Sequence, residues 1–373
     1  MFNPLLNRQR QELARRYEKE KRRLGLAGSA LSLAALLVFY FSGLSSNLAH
    51  LWAGSAAAWT FLAYTAGFLA WLTLFGLPLS YYGGYVHEHK WSFSTQKLKG
   101  WISDQVKTFA VGLSLGWIVM AILLGIIARF PRVWWLVAGL AMALVSVVMA
   151  TLFPVVILPI FHRYTPVENK ELTDALEEIL AREGLKSSGF FQEDMSRRTR
   201  KENAFLAGLG KTRRVVLGDN LVKNMTEPEV VSVIAHEVGH YRHKHLWKGV
   251  VVETLEQLAV FYFLNIAMRS VFPGFPASTR EVLAVLPVMV VIGGVASALL
   301  FGPAGKALMR RFEKQADLYA VSQVKDRQAF LTALAGLADR NLGNAYPAWW
   351  VKVLFYTHPP IGERLEYIER ARD

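Results

Sequence analysis

The sequence contains no cysteine among its 373 residues. This absence excludes disulfide bonds, catalysis by a thiolate and any metal site built on cysteine sulfur. The chain also has neither an internal repeat nor a low-complexity linker. A metal ion in this protein must therefore be held by His, Asp or Glu side chains.

Charged side chains are nearly absent from six stretches of about 20 residues, the length that a helix needs to cross the apolar core of a bilayer. Buried helices of a large soluble protein are the alternative, but such helices rarely extend so far without a polar face. We therefore predict a mainly α-helical, polytopic membrane protein with six transmembrane helices. Their expected positions are 24–44, 57–79, 109–128, 134–153, 250–271 and 282–300.

Basic residues are concentrated on one side of this topology. Lys and Arg are abundant in the N-terminal tail and after the second span, whereas the first outer loop has none. The positive-inside rule therefore explains the net charge of +13 better than nucleic-acid binding does. Residues 8–23, rich in both signs, indicate a cytoplasmic helix before an uncleaved span and not a signal peptide. We expect both termini and the polar segment 161–248 on the cytoplasmic side.

The predicted spans divide the chain into five parts. They are an N-terminal cytoplasmic helix (1–23), four transmembrane helices with a cytoplasmic loop at 80–107 (24–160), a cytoplasmic segment (161–248), two further spans (249–302) and a cytoplasmic C-terminal segment (303–373).

Segment 161–248 contains three predicted elements. Apolar residues recur on one face of 171–183, which predicts an amphipathic helix. Two short apolar runs around Gly208 and Gly210 predict a β-hairpin. Thr226 stands three residues before Glu229, the spacing of a capping box that opens a helix.

That capped helix carries the motif His-Glu-x-x-His. The spacing places His236 and His240 on one face of the helix, where both imidazoles can reach one metal ion. Glu237 lies beside them, placed to deprotonate a water that zinc activates. The motif predicts a zinc hydrolase with Glu237 as general base.

A catalytic zinc ion usually needs a third protein ligand, and the sequence offers several candidates. His243 is two turns from the first histidine and would have to bend back. Glu253 and Glu256 fall inside the fifth predicted span, where lining a polar chamber is the expected role. Glu313 and Asp317 are one turn apart on a helix that continues from the sixth span, but a solvated helix face explains them equally well. The residues alone leave the third ligand open.

Three motifs resemble a known family. They are "VIAHEVGHYRHKH", "RRFEKQAD" after the last span and "THPPIGERL" near the C-terminus. With them the chain, from about residue 85 to 370, is similar to the integral-membrane zinc metalloproteases that include the type I CAAX prenyl endopeptidase, also called the a-factor-converting enzyme. The resemblance implies one Zn²⁺ per chain and a chamber-like arrangement of the spans, although eukaryotic members carry seven spans where six are predicted here.

The resemblance also implies roles for residues of the metal centre. Glu313 would be the third zinc ligand, and Asp317 would support the site. His245 matches a family position with a supporting role.

Further residues are implied to contact the substrate. His358 and Arg364 would face the active site, with His358 stabilising the oxyanion. Asn203 would contact the substrate backbone, which agrees with an exposed strand edge that adds a peptide as a further strand. Without the resemblance, Asn203 would be interpreted as a turn residue.

The predicted function is that of a membrane-embedded zinc endopeptidase acting on membrane-associated or C-terminally prenylated peptides, in contact with membrane lipid and without a nucleic-acid partner. A quality-control membrane protease of the same superfamily is the nearest alternative. An ion or metal transporter with Glu253 and Glu256 along its pathway is a different class, but it leaves the capped zinc helix unexplained. A catalytically idle membrane scaffold is a third alternative, disfavoured by the intact ligands and base.

Overall fold

The computed structural model describes residues 2–51, 57–208, 213–275 and 278–371. In this part of the chain six helices are long and apolar enough to cross a membrane, which confirms the predicted mainly α-helical membrane fold. The spanning helices are α1 (Arg8–Phe41), α3 (Ala57–Ser80) continued by a π-helical turn (Tyr81–Val86) and α4 (His87–Lys90), α5 (Leu98–Arg129), α6 (Trp134–Leu152) continued by a π-helical turn (Phe153–Ile157) and α7 (Leu158–Phe161), α11 (His245–Val271) and α12 (Thr279–Leu300). A short helix α2 (Leu44–His50) follows the first span.

The helices extend further than the apolar stretches from which they were predicted. The charged residues 8–23 and the first span form one continuous helix, α1, and helix covers most of the predicted loop 80–107, leaving 91–97 as the connection. Hydropathy detects only the apolar part of a helix, whereas the charged ends of these helices continue beyond it. The first turns of α1 bind the C-terminal segment, since the backbone N–H of Asn7 and the side chain of Gln11 both donate to Asp339.

A four-stranded mixed sheet lies beside the spans. Its order is β1–β2–β4–β3, with β2 and β4 parallel and the other pairs antiparallel. The strands are β1 (Tyr164–Pro166), β2 (Phe190–Glu193), β3 (Ala204–Ala207) and β4 (Arg214–Gly218). Strands β3 and β4 pair as the sequence predicts, although the turn around Gly210 lies outside the described residues. Strand β3 is at an edge of the sheet, so one side of its backbone has no partner strand.

The remaining helices pack around this sheet. They are α8 (Lys170–Arg182), α9 (Asp219–Asn224), α10 (Glu227–Arg242), α13 (Gly302–Gln323), α14 (Arg327–Arg340), α15 (Trp349–Phe355) and α16 (Ile361–Glu369). Helix α8 matches the predicted amphipathic helix, and the predicted capping box of Thr226 and Glu229 opens α10. Leu176, Ile234 and Phe330 belong to the apolar core that joins α8, α10 and α14.

Candidate metal centre and substrate cleft

Three side chains meet between α10 and α13. His236 Nε2 lies 3.2 Å from His240 Nε2, and the two nitrogens lie 3.3 Å and 3.4 Å from the carboxylate oxygens of Glu313. Two ligand atoms bound to one tetrahedral zinc ion at about 2.0–2.1 Å are about 3.3–3.4 Å apart. Glu313 Oε2 is also buried without a hydrogen bond. The three residues therefore fit a single metal ion.

A glycine inside the motif allows these ligands to approach. A β-carbon at Gly239 would lie 2.9 Å from the Cα of Ala316 and 3.0 Å from its carbonyl oxygen. Helices α10 and α13 thus cross in backbone contact one residue before His240. This close crossing brings the carboxylate of Glu313 to the imidazoles.

Asp317 holds the first imidazole from behind. Its Oδ1 lies 2.8 Å from His236 Nδ1, and Arg364 donates to both of its oxygens at 2.8 Å and 2.6 Å. Tyr367 donates a further hydrogen bond to Asp317. Burial alone would raise the pKa of Asp317, but the charges of Arg364 and His236 hold it well below its usual range.

The same neighbours act on the imidazole. Burial opposes protonation of His236, yet the charge of Asp317 and contacts with Asp317 and Glu313 outweigh it and raise the pKa of His236 to about 9. Asp317 thus fixes the proton of this ring at Nδ1, and Nε2 is the nitrogen that lies near His240 and Glu313.

A second relay supports the other imidazole. His240 Nδ1 lies 3.0 Å from His245 Nδ1, and His245 Nε2 lies 2.9 Å from Gln315 Oε1. Because the amide oxygen can only accept, His245 is a donor at Nε2 and an acceptor at Nδ1. His240 then donates from Nδ1 and leaves its Nε2 lone pair free for a metal.

Glu237 lies where two cavities meet. It lines both a cavity of about 750 Å³ and a smaller one of about 300 Å³. Burial raises the pKa of Glu237, although the neighbouring imidazoles His236 and His240 act in the opposite direction. A carboxylate of raised pKa beside a metal centre is suited to accept and return a proton.

The two cavities differ in character. The larger has an apolar wall from the end of the fourth span, with Met149, Phe153 and Pro154, facing Phe205 of β3. The smaller is lined by apolar side chains of α10 and α14, among them Val233, Phe330 and Leu334, and by His236 and Glu313. A peptide lying across the metal centre can thus place side chains in both.

The residues predicted to contact substrate differ in their placement. Asn203 precedes the edge strand β3 and lines both cavities. His358 Nε2 lies 3.3 Å from Glu313 Oε1, and its side chain is 59% exposed. Arg364, by contrast, is buried and engaged by Asp317, so it faces the smaller cavity with only part of its guanidinium uncommitted.

Sequence reasoning missed several supporting groups. Tyr367 and Gln315 touch the site through tertiary contacts, and the sequence analysis gave neither a role, although Gln315 lies inside the motif "RRFEKQAD". Lys201 also bridges Tyr17 and Glu88, 2.7 Å and 2.8 Å away, next to the segment that leads into β3. Polar residues two to four positions from a motif residue are the only signal that the sequence offers for such partners.

The intramembrane carboxylates lie apart from this centre. Glu253 accepts a hydrogen bond from Ser146 at 2.8 Å, and Glu256 accepts one from Ser297 at 2.6 Å. Each therefore links two spanning helices through a serine. The metal-ligand cluster found among the described residues contains neither of them.

Known proteins share this architecture. Residues 1–163 match the family model described as the CAAX prenyl protease N-terminal region with five membrane helices, and residues 166–372 match peptidase family M48. Relatives include the uncharacterized metalloprotease YhfN of Bacillus subtilis, 29% identical over 97% of this chain and 86% of that protein. CAAX prenyl protease 1 of Saccharomyces cerevisiae is 28% identical over 95% of this chain and 85% of its own length.

A solved structure agrees with these matches. The crystal structure of Ste24p from S. mikatae superposes with a TM-score of 0.84 at 26% identity, covering 97% of this chain and 89% of that one. Together with the metal-ligand geometry between α10 and α13, these similarities show that the chain belongs to peptidase family M48, as a multi-pass membrane metalloendopeptidase of the CAAX prenyl protease group.

Proposed function

We propose that this chain is a zinc endopeptidase that cleaves membrane-associated peptides, including peptides with a prenylated C-terminus. The observation that carries the proposal is the cluster of His236, His240 and Glu313, with ligand atoms 3.2–3.4 Å apart beside Glu237. The prenylated substrate class comes from the relatives named as CAAX prenyl proteases.

The donor set favours zinc. Two neutral imidazoles and one carboxylate are the three protein ligands of many catalytic zinc sites, which keep a fourth position open. When bound, the ion lowers the pKa of a water molecule toward neutrality and polarises the scissile carbonyl.

The side chains around it carry out the proton transfers. Glu237 accepts a proton from the attacking water, whose oxygen adds to the carbonyl carbon. As the C–N bond breaks, Glu237 delivers that proton to the leaving amine. His358 lies close enough to the ligands to donate a hydrogen bond to the oxyanion. Asp317 and His245 keep the two imidazoles in the tautomers that coordination requires.

The substrate peptide is aligned by the free edge of β3. Main-chain hydrogen bonds to an edge strand give affinity without demanding one sequence. Asn203, just before β3, lines the smaller cavity together with His236 and Glu313. The apolar wall of Met149, Phe153 and Pro154 belongs to a spanning helix. A lipid chain attached to the peptide can therefore enter the larger cavity from the side of the bilayer.

We also propose that the termini and the metal centre lie on the cytoplasmic side. The N-terminal end of α1 binds Asp339, which joins the two termini on one side of the spans. The basic residues of the N-terminal tail favour that side as cytoplasmic.

The test combines one variant with a pair of substrates. Glu237→Gln should keep one zinc ion per chain and lose turnover by a factor of about 10² to 10⁴, because only the proton acceptor is removed. Glu227→Gln, ten positions earlier and about 15 Å away on the same helix, is the matched control. Unchanged turnover in the Glu237→Gln protein would end the proposal.

The substrates are a farnesylated peptide and its unmodified twin, incubated with and without chelator and analysed by mass spectrometry. Preferential cleavage of the farnesylated peptide supports recognition of the lipid. Equal cleavage of both would remove the prenyl group from the proposal and leave the endopeptidase. Cleavage that persists in chelator would contradict the role of the metal.

A further inference from the structure

Arg213 lines the larger cavity and forms no ion pair with any carboxylate of the described residues. The residue is 6% exposed and lines the cavity together with Glu237 and His240. Its guanidinium lies over the ring of Tyr241, 4.4 Å from the centroid. Among the described residues, no acidic side chain comes within 4.0 Å of it.

Such a group is costly to bury unless something completes its environment. An arginine side chain remains charged and offers five N–H donors in a planar fork that matches a carboxylate. The aromatic face of Tyr241 compensates only part of the lost hydration. No nitrogen of Arg213 is among the fully buried side-chain atoms without a partner, so its N–H groups reach the cavity, where an anion can be accommodated.

The sheet register gives the backbone distance between the metal end of β3 and its other end, which lies beside Arg213. Gly218 donates its backbone N–H to the carbonyl of Asn203 at the metal end of β3, whereas Ala207 pairs with Arg214 at the other end. Four strand residues separate these ends, about 13 Å at 3.3 Å per residue. An extended peptide along β3 therefore has about three to five residues between its scissile bond and Arg213.

The cavity has two acidic residues, Glu237 beside the metal centre and Glu193, which already has a partner. Glu193 pairs with Gly218 in the sheet, at the metal end, and its Oε1 lies 2.7 Å from His162 Nδ1. The cleft thus has a carboxylate with a histidine partner near the metal end, and at the far end a guanidinium that forms no ion pair among the described residues.

We propose that Arg213 binds a carboxylate of the substrate peptide and so selects peptides that carry one about three to five residues from the cleaved bond. The inference rests on the proposed endopeptidase function. The carboxylate is either the side chain of Asp or Glu or the C-terminal carboxylate of the substrate, since both present the same two oxygens.

The first test changes only the substrate. The zinc-loaded full-length protein is incubated with two series of peptides. The first series carries either Glu or Gln at each position three to five residues from the cleaved bond, on both sides of that bond. The second series ends in either a free carboxylate or an amide. A charge-assisted hydrogen bond predicts about a 10-fold or greater advantage in kcat/KM for one carboxylate position, mostly through KM. The position that gives the advantage identifies the source of the carboxylate.

The second test changes the protein. Arg213→Gln should abolish the advantage while still cleaving the uncharged peptide, which shows that the variant is folded. Arg213→Glu should instead prefer Lys at that position. Arg214→Gln is the matched control, because Arg214, the first residue of β4, lies over the ring of Phe191 and is not among the residues that line the cavity.

The possible results distinguish a failure of this inference from a failure of the proposed endopeptidase function. If the wild-type enzyme cleaves acidic and neutral peptides equally well, or if the preference survives in Arg213→Gln, the inference is wrong and the endopeptidase stands. If zinc-loaded wild-type protein cleaves none of the peptides, the proposed function fails first. A third outcome is that Arg213→Gln lowers activity only in vesicles of anionic lipid, and equally for the acidic and the neutral peptide. That result would show that Arg213 binds lipid phosphate and would overturn the inference.

Discussion

Asp317 is the residue on which the supporting contacts of the metal centre converge. It has no exposed surface, and it joins His236 to Arg364 and Tyr367. A buried ion pair contributes little when both partners are present, but removing one leaves the other charge uncompensated. Asp317 therefore affects both the metal and the stability of the fold.

The variant Asp317→Asn is expected to lower both the metal affinity and the stability of the fold. Loss of a group behind a ligating histidine lowers metal affinity by about 10- to 100-fold. The free energy of unfolding should fall by about 3–5 kcal/mol, because Arg364 is left buried without its partner. Titration with a competing zinc chelator and thermal unfolding in detergent measure the two effects. The control Tyr367→Phe removes only one hydrogen bond to Asp317 and should change the zinc affinity and the stability much less. Wild-type zinc affinity in Asp317→Asn would contradict the supporting role of Asp317.

At the scale of secondary-structure elements, the crossing of α10 and α13 decides whether the ligands meet. Each helix is specified by its own sequence, α10 by its capping box and α13 by its start at Gly302 and Pro303. Their separation depends on Gly239, where no side chain fits.

Gly239→Ala is expected to separate the two helices. The added methyl group overlaps the backbone of Ala316 and should cost about 1–3 kcal/mol, with loss of stoichiometric zinc. Zinc content and thermal stability of the purified protein are the measurements. Gly249→Ala is the control, since a β-carbon there meets nothing within 4 Å. A zinc-replete, fully active Gly239→Ala protein would show that the crossing can relax.

A second set of contacts positions the substrate-binding edge. Lys201 bonds Tyr17 and Glu88, and the backbone around Thr199 pairs with Ser94. Burial lowers the pKa of Lys201, while its bond to Glu88 acts in the opposite direction. These contacts tie the approach to β3 to the first two spanning helices.

Lys201→Met should therefore raise KM for peptide substrates by several-fold with a smaller change in kcat and no loss of zinc. The reason is that the edge strand loses its anchor while the metal ligands stay in place. Steady-state kinetics and metal analysis give the readouts, with the exposed Lys186→Met as control. A double-mutant cycle that combines Lys201→Met with Glu88→Gln should give a coupling energy of about 0.5–3 kcal/mol, because the two side chains are in direct contact. Additive effects of the two substitutions would show that Lys201 and Glu88 do not act together.

At the scale of the whole molecule, the active centre is assembled from distant parts of the chain. The histidines are on α10, Glu313 follows the last two spans, and the apolar wall of the larger cavity belongs to the fourth span. Residues 161–248 alone thus lack both Glu313, the proposed third ligand, and the apolar cavity wall.

The absence of cysteine allows the membrane orientation to be tested directly. With the proposed orientation, Ser46→Cys, just beyond the first span, should react with a membrane-impermeant maleimide in intact cells. Glu177→Cys, exposed on α8 beside the metal-binding segment, should react only after permeabilisation. The cysteine-free parent gives the background, and the reverse labelling pattern would place the metal centre on the outer side.

The amino-acid sequence by itself determined the features that repeat or act locally. Six apolar stretches specified six spanning helices, and a cap with two histidines one turn apart specified α10. Apolar residues on one helical face specified α8, and two short apolar runs around Gly208 and Gly210 specified the β3–β4 pair. The short strands β1 and β2 escaped prediction, because they are three and four residues long and, unlike β3 and β4, are not joined by a short glycine-containing turn that would indicate a hairpin.

Only the tertiary structure decided how these parts meet. Spacing left Glu313 no better than a solvated carboxylate, and nothing in the sequence distinguished Arg213 from its neighbour Arg214. The crossing of two helices at Gly239 brought Glu313 to the histidines, and the edge position of β3 placed Arg213 in a cavity. The physical reason is that local sequence sets helices and strands through short-range periodicity, whereas ligation and burial depend on contacts between residues far apart in the chain.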